Sequence, residues 1–133
     1  MAIASDIKVQ HPGVLLLRFT VSVLMLFHGV AKLTRGVGPI EGLLEKAGLP
    51  EWFAFGVLIG EVIAPLLVIA GVWVRWAALL MAINMVFAIG LAHLGDLFVL
   101  TPSGAYRLEA QVFFLLCSLS IAWLADGRFG RAR

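Results

Sequence analysis

Thiols and charge are both scarce in this chain. Cys117 is its only cysteine, which excludes an internal disulfide or dithiol relay, and a lone thiol in an apolar run is ordinarily a small filler. Charged residues make up 14% of the 133 positions, against about 25% in an average soluble domain. No polar stretch is long enough for a soluble catalytic domain, so any chemistry must lie among the apolar segments or come from a partner. A removable signal peptide is not expected: residues 1–10 carry little charge, the first apolar run is too long, and no small-residue cleavage pattern follows it.

What fills the chain is apolar. Hydrophobic residues reach 62% and the mean hydropathy is +1.03. Four runs, Gly13 to Leu33, Trp52 to Gly71, Arg75 to His93 and Tyr106 to Ala125, each approach the roughly 20 residues that carry a helix across about 30 Å of hydrocarbon. They are continuous rather than alternating, which excludes barrel strands, and in lipid the backbone must pair within its own segment. The expectation is an all-α integral membrane four-helix bundle, a single transmembrane domain over residues 1–133.

Orientation follows from Lys and Arg at the span ends. One face carries Lys8, Arg75, Arg128, Arg131 and Arg133; the other carries Lys32, Arg35, Lys46 and Arg107. Setting aside Lys32 and Arg107, which flank the polar groups described below, leaves five against two and places both termini in the cytoplasm. The net charge of +2 and pI near 9.1 are better explained by this basic tail than by nucleic-acid binding. Trp52, Trp73, Trp76 and Trp123 fall within about a turn of span ends, as interfacial anchors do.

Between the first two spans, Ile40, Leu43, Leu44 and Ala47 recur at helical spacing. A short surface helix is predicted from near Pro39 to Gly48, with Pro50 preventing continuation, serving as a connector or as a lid over the polar groups. Before the fourth span, Thr101 or Ser103 is placed to cap its start, and Phe98 and Leu100 to touch lipid or the bundle rim. The tight link Gly71-Val72-Trp73-Val74-Arg75 makes spans two and three antiparallel neighbours. Gly56 and Gly60 form a G-x-x-x-G pattern that predicts close helix packing, with a homo-oligomer as the less direct reading. Pro65 lacks an N–H, predicting a kink and a freed carbonyl near Glu61.

The ionisable residues gather toward one side. With an N-in start, His28 and Lys32 end span one, His93 ends span three, and Glu109 and Gln111 open span four. Glu61 lies nine residues into span two, about 14 Å deep at 1.5 Å per residue. Arg18 is the exception, near the inner end of span one, with a side chain long enough to snorkel to water. At 100° per residue Arg18, Ser22, Met25, His28, Gly29 and Lys32 share one face of span one, which should look inward. A charge facing lipid costs about 2.5–3.5 kcal/mol, so Glu61 should meet Lys32, His28 or Arg18.

Such a cluster can merely lock helices together, yet interhelical hydrogen bonds in membranes average only about 0.6 kcal/mol, a poor return on burying several charges. A functional site is the stronger reading. His28 and His93 have no close-spaced ligand motif, which weighs against haem and against a metal. Hydrogen bonding to a small redox molecule, or proton transfer, asks less of the same groups.

His28-Gly29-Val30-Ala31-Lys32-Leu33, then Gly60-Glu61, then Gly71 to Leu94 closing on His93, together resemble the DoxX family of small bacterial membrane proteins. Glu109 is similar to the acidic residue opening that family's last span, whereas the ending Asp126 to Arg133 departs from the family's usual tail. The resemblance implies a four-helix bundle of the bacterial inner membrane associated with quinone-linked oxidoreductase systems. The leading expectation is a subunit that binds a quinone or similar apolar redox molecule. His28 and Glu61 would hydrogen-bond or exchange protons with it and His93 and Glu109 would complete a proton path to the outer water, with Lys32 balancing charge and Lys32, Glu109, Gln111 and Arg18 bordering the ligand. The alternatives are a non-catalytic membrane anchor or assembly factor for a partner complex, and a small-solute or proton transporter; the latter is weakened by the lack of an inverted pair of broken helices.

Overall fold

A computed structural model describes residues 12–125, which form helices and connecting loops. Three helices are long and apolar enough to cross a membrane: α1 (Pro12–Arg35), α3 (Phe53–Ala70) and α4 (Val74–Ala92). A nine-residue helix α2 (Gly38–Lys46) links the first two, and α5 (Glu109–Leu124) closes the described chain. At 16 residues α5 spans about 24 Å, less than the hydrocarbon thickness. No strand occurs among the described residues; Leu100 and Tyr106 form an isolated bridge. The residues Lys8, Arg128, Arg131 and Arg133, on which the N-in, C-in orientation rests, lie outside the described residues.

The four longer helices pack in the cyclic order α1, α3, α4, α5 and back to α1. Their shared core is built from Met25, Ala64, Val68, Ala78, Met81 and Ile121. Alanines are interleaved there with Met, Val and Ile because, with lipid as apolar as the core, helices gain by close approach rather than by escaping water. Phe27, Phe55, Ile83 and Phe113 point outward and are exposed, as are all four tryptophans near the helix ends. On α1, Arg18, Ser22, Met25 and Gly29 are buried and Lys32 is half-buried, so most of the face read as inward looks inward, while His28 at its edge is exposed.

Loop chemistry sets the helix ends. Gly48 takes φ +75°, and Leu49 N–H reaches back to Leu44 O while Gly48 N–H bonds Glu45 O, closing α2 where Pro50 forbids continuation. Gly71 at φ +79° ends α3 in the same way, through Val72 N–H to Leu67 O and its own N–H to Val68 O. The fourth apolar helix starts later than predicted, at Glu109 instead of Tyr106. Tyr106 and Arg107 are held by the loop: Arg107 N–H bonds Val99 O, and the Tyr106 hydroxyl donates to Leu97 O. Thr101 and Ser103 do not cap α5, because Thr101 Oγ1 accepts the Ala105 N–H inside its own turn.

Two glycines govern how closely α3 is approached. A Cβ at Gly29 of α1 would sit 2.4 Å from Glu61 O, and one at Gly60 would sit 2.7 Å from Asn84 Cβ on α4. A Cβ at Gly56 would meet nothing within 4 Å, so only the second glycine of the G-x-x-x-G pattern makes a close contact. The predicted disturbance at Pro65 takes the form of a π-turn over Ile59–Ile63, with Ala64 N–H bonded to Ile59 O. Without an N–H on Pro65 the Glu61 carbonyl loses its α-helical donor, and it lies against Gly29. Gly29→Ala and Gly60→Ala are expected to lower stability by about 1–3 kcal/mol each, as overpacking does. Gly56→Ala should leave it unchanged or slightly raised, within about 1 kcal/mol. Unfolding midpoints of the three purified variants check this.

Candidate functional site

Glu61 is carried by the π-turn of α3 and is 2% exposed. A carboxylate so placed needs a counter-charge, and Lys32, on the last turns of α1, supplies it: its ammonium donates directly to Glu61 Oε2. The Gly29–Glu61 backbone contact lies three residues before Lys32 on α1, so the absence of a side chain at position 29 brings the pair within reach. The Lys32 stem is partly covered while its head turns inward, the reverse of snorkelling.

The pair opens onto a cavity of about 210 Å³. His28 and Lys32 of α1, Glu61 of α3, His93 at the end of α4 and Gln111 of α5 all line it, with Met85 and Phe114 among its apolar walls. His28 stands edge-on to Phe114, with ring centroids 5.5 Å apart. Four helices thus contribute polar groups to one space at one end of the bundle.

Arg18 and Glu109 are not part of it. Arg18 belongs to the opposite end, where it neither snorkels nor lines the cavity: it is 4% exposed and donates to Val68 O at 2.7 Å. The C-terminal end of α3 carries the negative end of the helix dipole, and Val68 O, which also accepts the Gly71 N–H, has a second lone pair for the guanidinium. Its Nε is buried without a partner among the described residues. Glu109 is exposed in the first turn of α5, where a carboxylate suits the helix N-terminus. The late start of α5 turns it away and brings Gln111 to the cavity instead.

Asp96 escaped the sequence reading. Its carboxylate lies 3.4 Å from His93 Nδ1 and 3.7 Å from Arg107 Nε. His93 Nε2 in turn lies 3.5 Å from Gln111 Nε2. An amide nitrogen can only donate, so Gln111 requires an accepting Nε2 and Asp96 accepts Nδ1–H; the neutral ring carries its proton on Nδ1. The resulting line of polar groups runs from the cavity through His93 to half-exposed Asp96 and Arg107. The i, i+3 spacing of His93 and Asp96 was the available signal. Nitrogen NMR of labelled His93 should show the Nδ1–H tautomer, and Asp96→Ala should shift it toward Nε2–H.

Among the described residues no group of three or more His, Cys, Asp or Glu side chains is arranged to hold a metal ion. No curated protein and no solved structure matches the chain. The DoxX family model matches residues 13–94, more than half of the chain. The match takes in α1 to α4 and with them His28, Lys32, Glu61 and His93, and it ends before α5. With three helices long and apolar enough to cross a membrane, this chain is a membrane protein and belongs to the DoxX family.

Proposed function

We propose that the cavity binds a quinone-class ring, and that the chain is a four-span, N-in/C-in subunit of an oxidoreductase system in the bacterial inner membrane. The observation that supports this reading is the convergence of five polar side chains from four helices on one cavity of about 210 Å³, a size suited to a single substituted ring. A quinone presents two carbonyl oxygens in a flat apolar frame. The Lys32 ammonium, the His28 ring and the Gln111 amide offer donors for those oxygens, and Met85 and Phe114 offer apolar contact.

Reducing a quinone to a quinol takes two electrons and two protons. In this reading the Lys32–Glu61 pair, which shares a proton-bearing hydrogen bond, supplies one proton at the cavity. His93 supplies the other from Nε2 in its doubly protonated form, returning to the Nδ1–H ring, and Asp96 and Arg107 connect it to water. Cys117 has no second thiol with which to form a dithiol, so the electron donor is assigned to a partner subunit carrying a reduced metal centre or dithiol.

The direct Lys32–Glu61 contact favours one competing reading, an anchor or assembly factor in which the pair only fixes the bundle. Two substitutions separate them. Lys32→Met alone should cost about 3–5 kcal/mol by leaving a buried carboxylate unpaired. Lys32→Met with Glu61→Leu should restore the fold yet abolish ring binding. Native mass spectrometry from mild detergent is the direct test. A retained quinone mass, at least about tenfold weaker in Glu61→Gln at equal protein yield, is the expected result. Unchanged occupancy together with unchanged activity of the partner complex would overturn the redox site in favour of the anchor.

A further inference from the structure

A second cavity, of about 270 Å³, adjoins the first on the outer side of the bundle, between α1 and α5. Leu17, Thr20, Val21 and Leu24 form its α1 wall, and Phe113 and Cys117 belong to its α5 wall. Ala110 and Phe114 line both cavities. The spacing on α1 is i, i+3, i+4, i+7, the signature of a stripe along a helix, so the space is a groove parallel to the helix axes. From Leu17 to Leu24 it runs about 10 Å. Leu24 and Phe113, at 47% and 70% exposed, leave it open to lipid.

Polarity changes abruptly along both walls. Four residues beyond Leu24 on the same stripe of α1 comes His28, which lines the polar cavity, and next to Ala110 on α5 comes Gln111, which does the same. An apolar channel ending in a cluster of donors, with two residues common to both parts, is the negative of an amphiphile: a ring with hydrogen-bonding oxygens and a hydrocarbon tail. A helix of a second copy or a bilayer acyl chain would fill the groove without explaining its continuity with the polar cavity.

We infer that the ligand is a tail-bearing quinone whose ring occupies the polar cavity and whose tail lies in the groove between α1 and α5. The inference rests on the ring-binding reading above and adds the class of quinone and the residues that select it. Thr20 and Leu24 are the specificity-determining positions, because both border the groove alone and both are exposed.

The test uses the full-length protein in lipid nanodiscs, with a tail-less dimethoxy-methyl benzoquinone and its decyl derivative as probes. After correction for partition into empty discs, the decyl compound should bind at least about tenfold more tightly. Thr20→Trp and Leu24→Trp, which fill the groove, should each remove most of that advantage and leave the tail-less ring within about twofold of wild type. A decyl probe ending in a diazirine should, on irradiation of the wild-type protein, label residues 17–24 and 113–117. Equal affinity of the two rings, or labelling spread over all outward-facing helices, would overturn the tail site and leave the ring site standing. Failure of both rings to bind would overturn both.

Discussion

A carboxylate held inside an apolar helix, with almost no exposure, must have its counter-charge delivered to it, and most of the local architecture follows from that demand. Glu61 is nine-tenths of the way out of solvent or better, and Lys32 reaches it only because α1 comes close enough to α3. That approach is set by Gly29, whose missing side chain makes room for the Glu61 carbonyl. The carbonyl is available there because Pro65 cannot donate to it, and the π-turn absorbs the misfit. Glycine, proline and π-turn are thus one device distributed over two helices.

The same device explains why the polar groups sit at one end of the bundle. With α1 and α3 pinned together at Gly29, the last turns of α1 present His28 and Lys32 to the space that His93 and Gln111 enter from α4 and α5. At the other end the core is close-packed around Val68, Val74, Ala78 and Ile121, and Arg18 spends its charge on a helix terminus. One end gathers polar side chains around a cavity, and the other is packed with apolar ones.

The long apolar helices were legible because continuous hydropathy over a membrane's thickness is a signal that no tertiary contact can override. Gly48 and Pro50 likewise announced the end of α2 locally, through backbone conformation. The convergence of His28, Lys32, Glu61, His93 and Gln111 depended on both depth and rotation, and depth could be counted in residues from the span ends. Rotation could not: Glu109 and Gln111 are two positions apart on α5, about 200° around the helix, and the start of α5 depended on a loop in which Tyr106 and Arg107 pair across to Leu97 and Val99. Gly56 and Gly60 read alike in sequence, and only the position of Asn84 distinguishes them. Arg18 was misread for a similar reason, since its acceptor is a backbone carbonyl and leaves no mark on residue choice.

The hydrogen bond from Arg18 to Val68 joins residues 50 positions apart, and this distance acquires a meaning during synthesis. At about 5–20 residues per second, Arg18 is made about 3–10 s before Val68. Throughout that interval its guanidinium has no carbonyl to bond and must be kept hydrated or held by the insertion machinery. The first helix therefore cannot settle to its final depth on its own, and its seating waits on the emergence of the turn at Gly71.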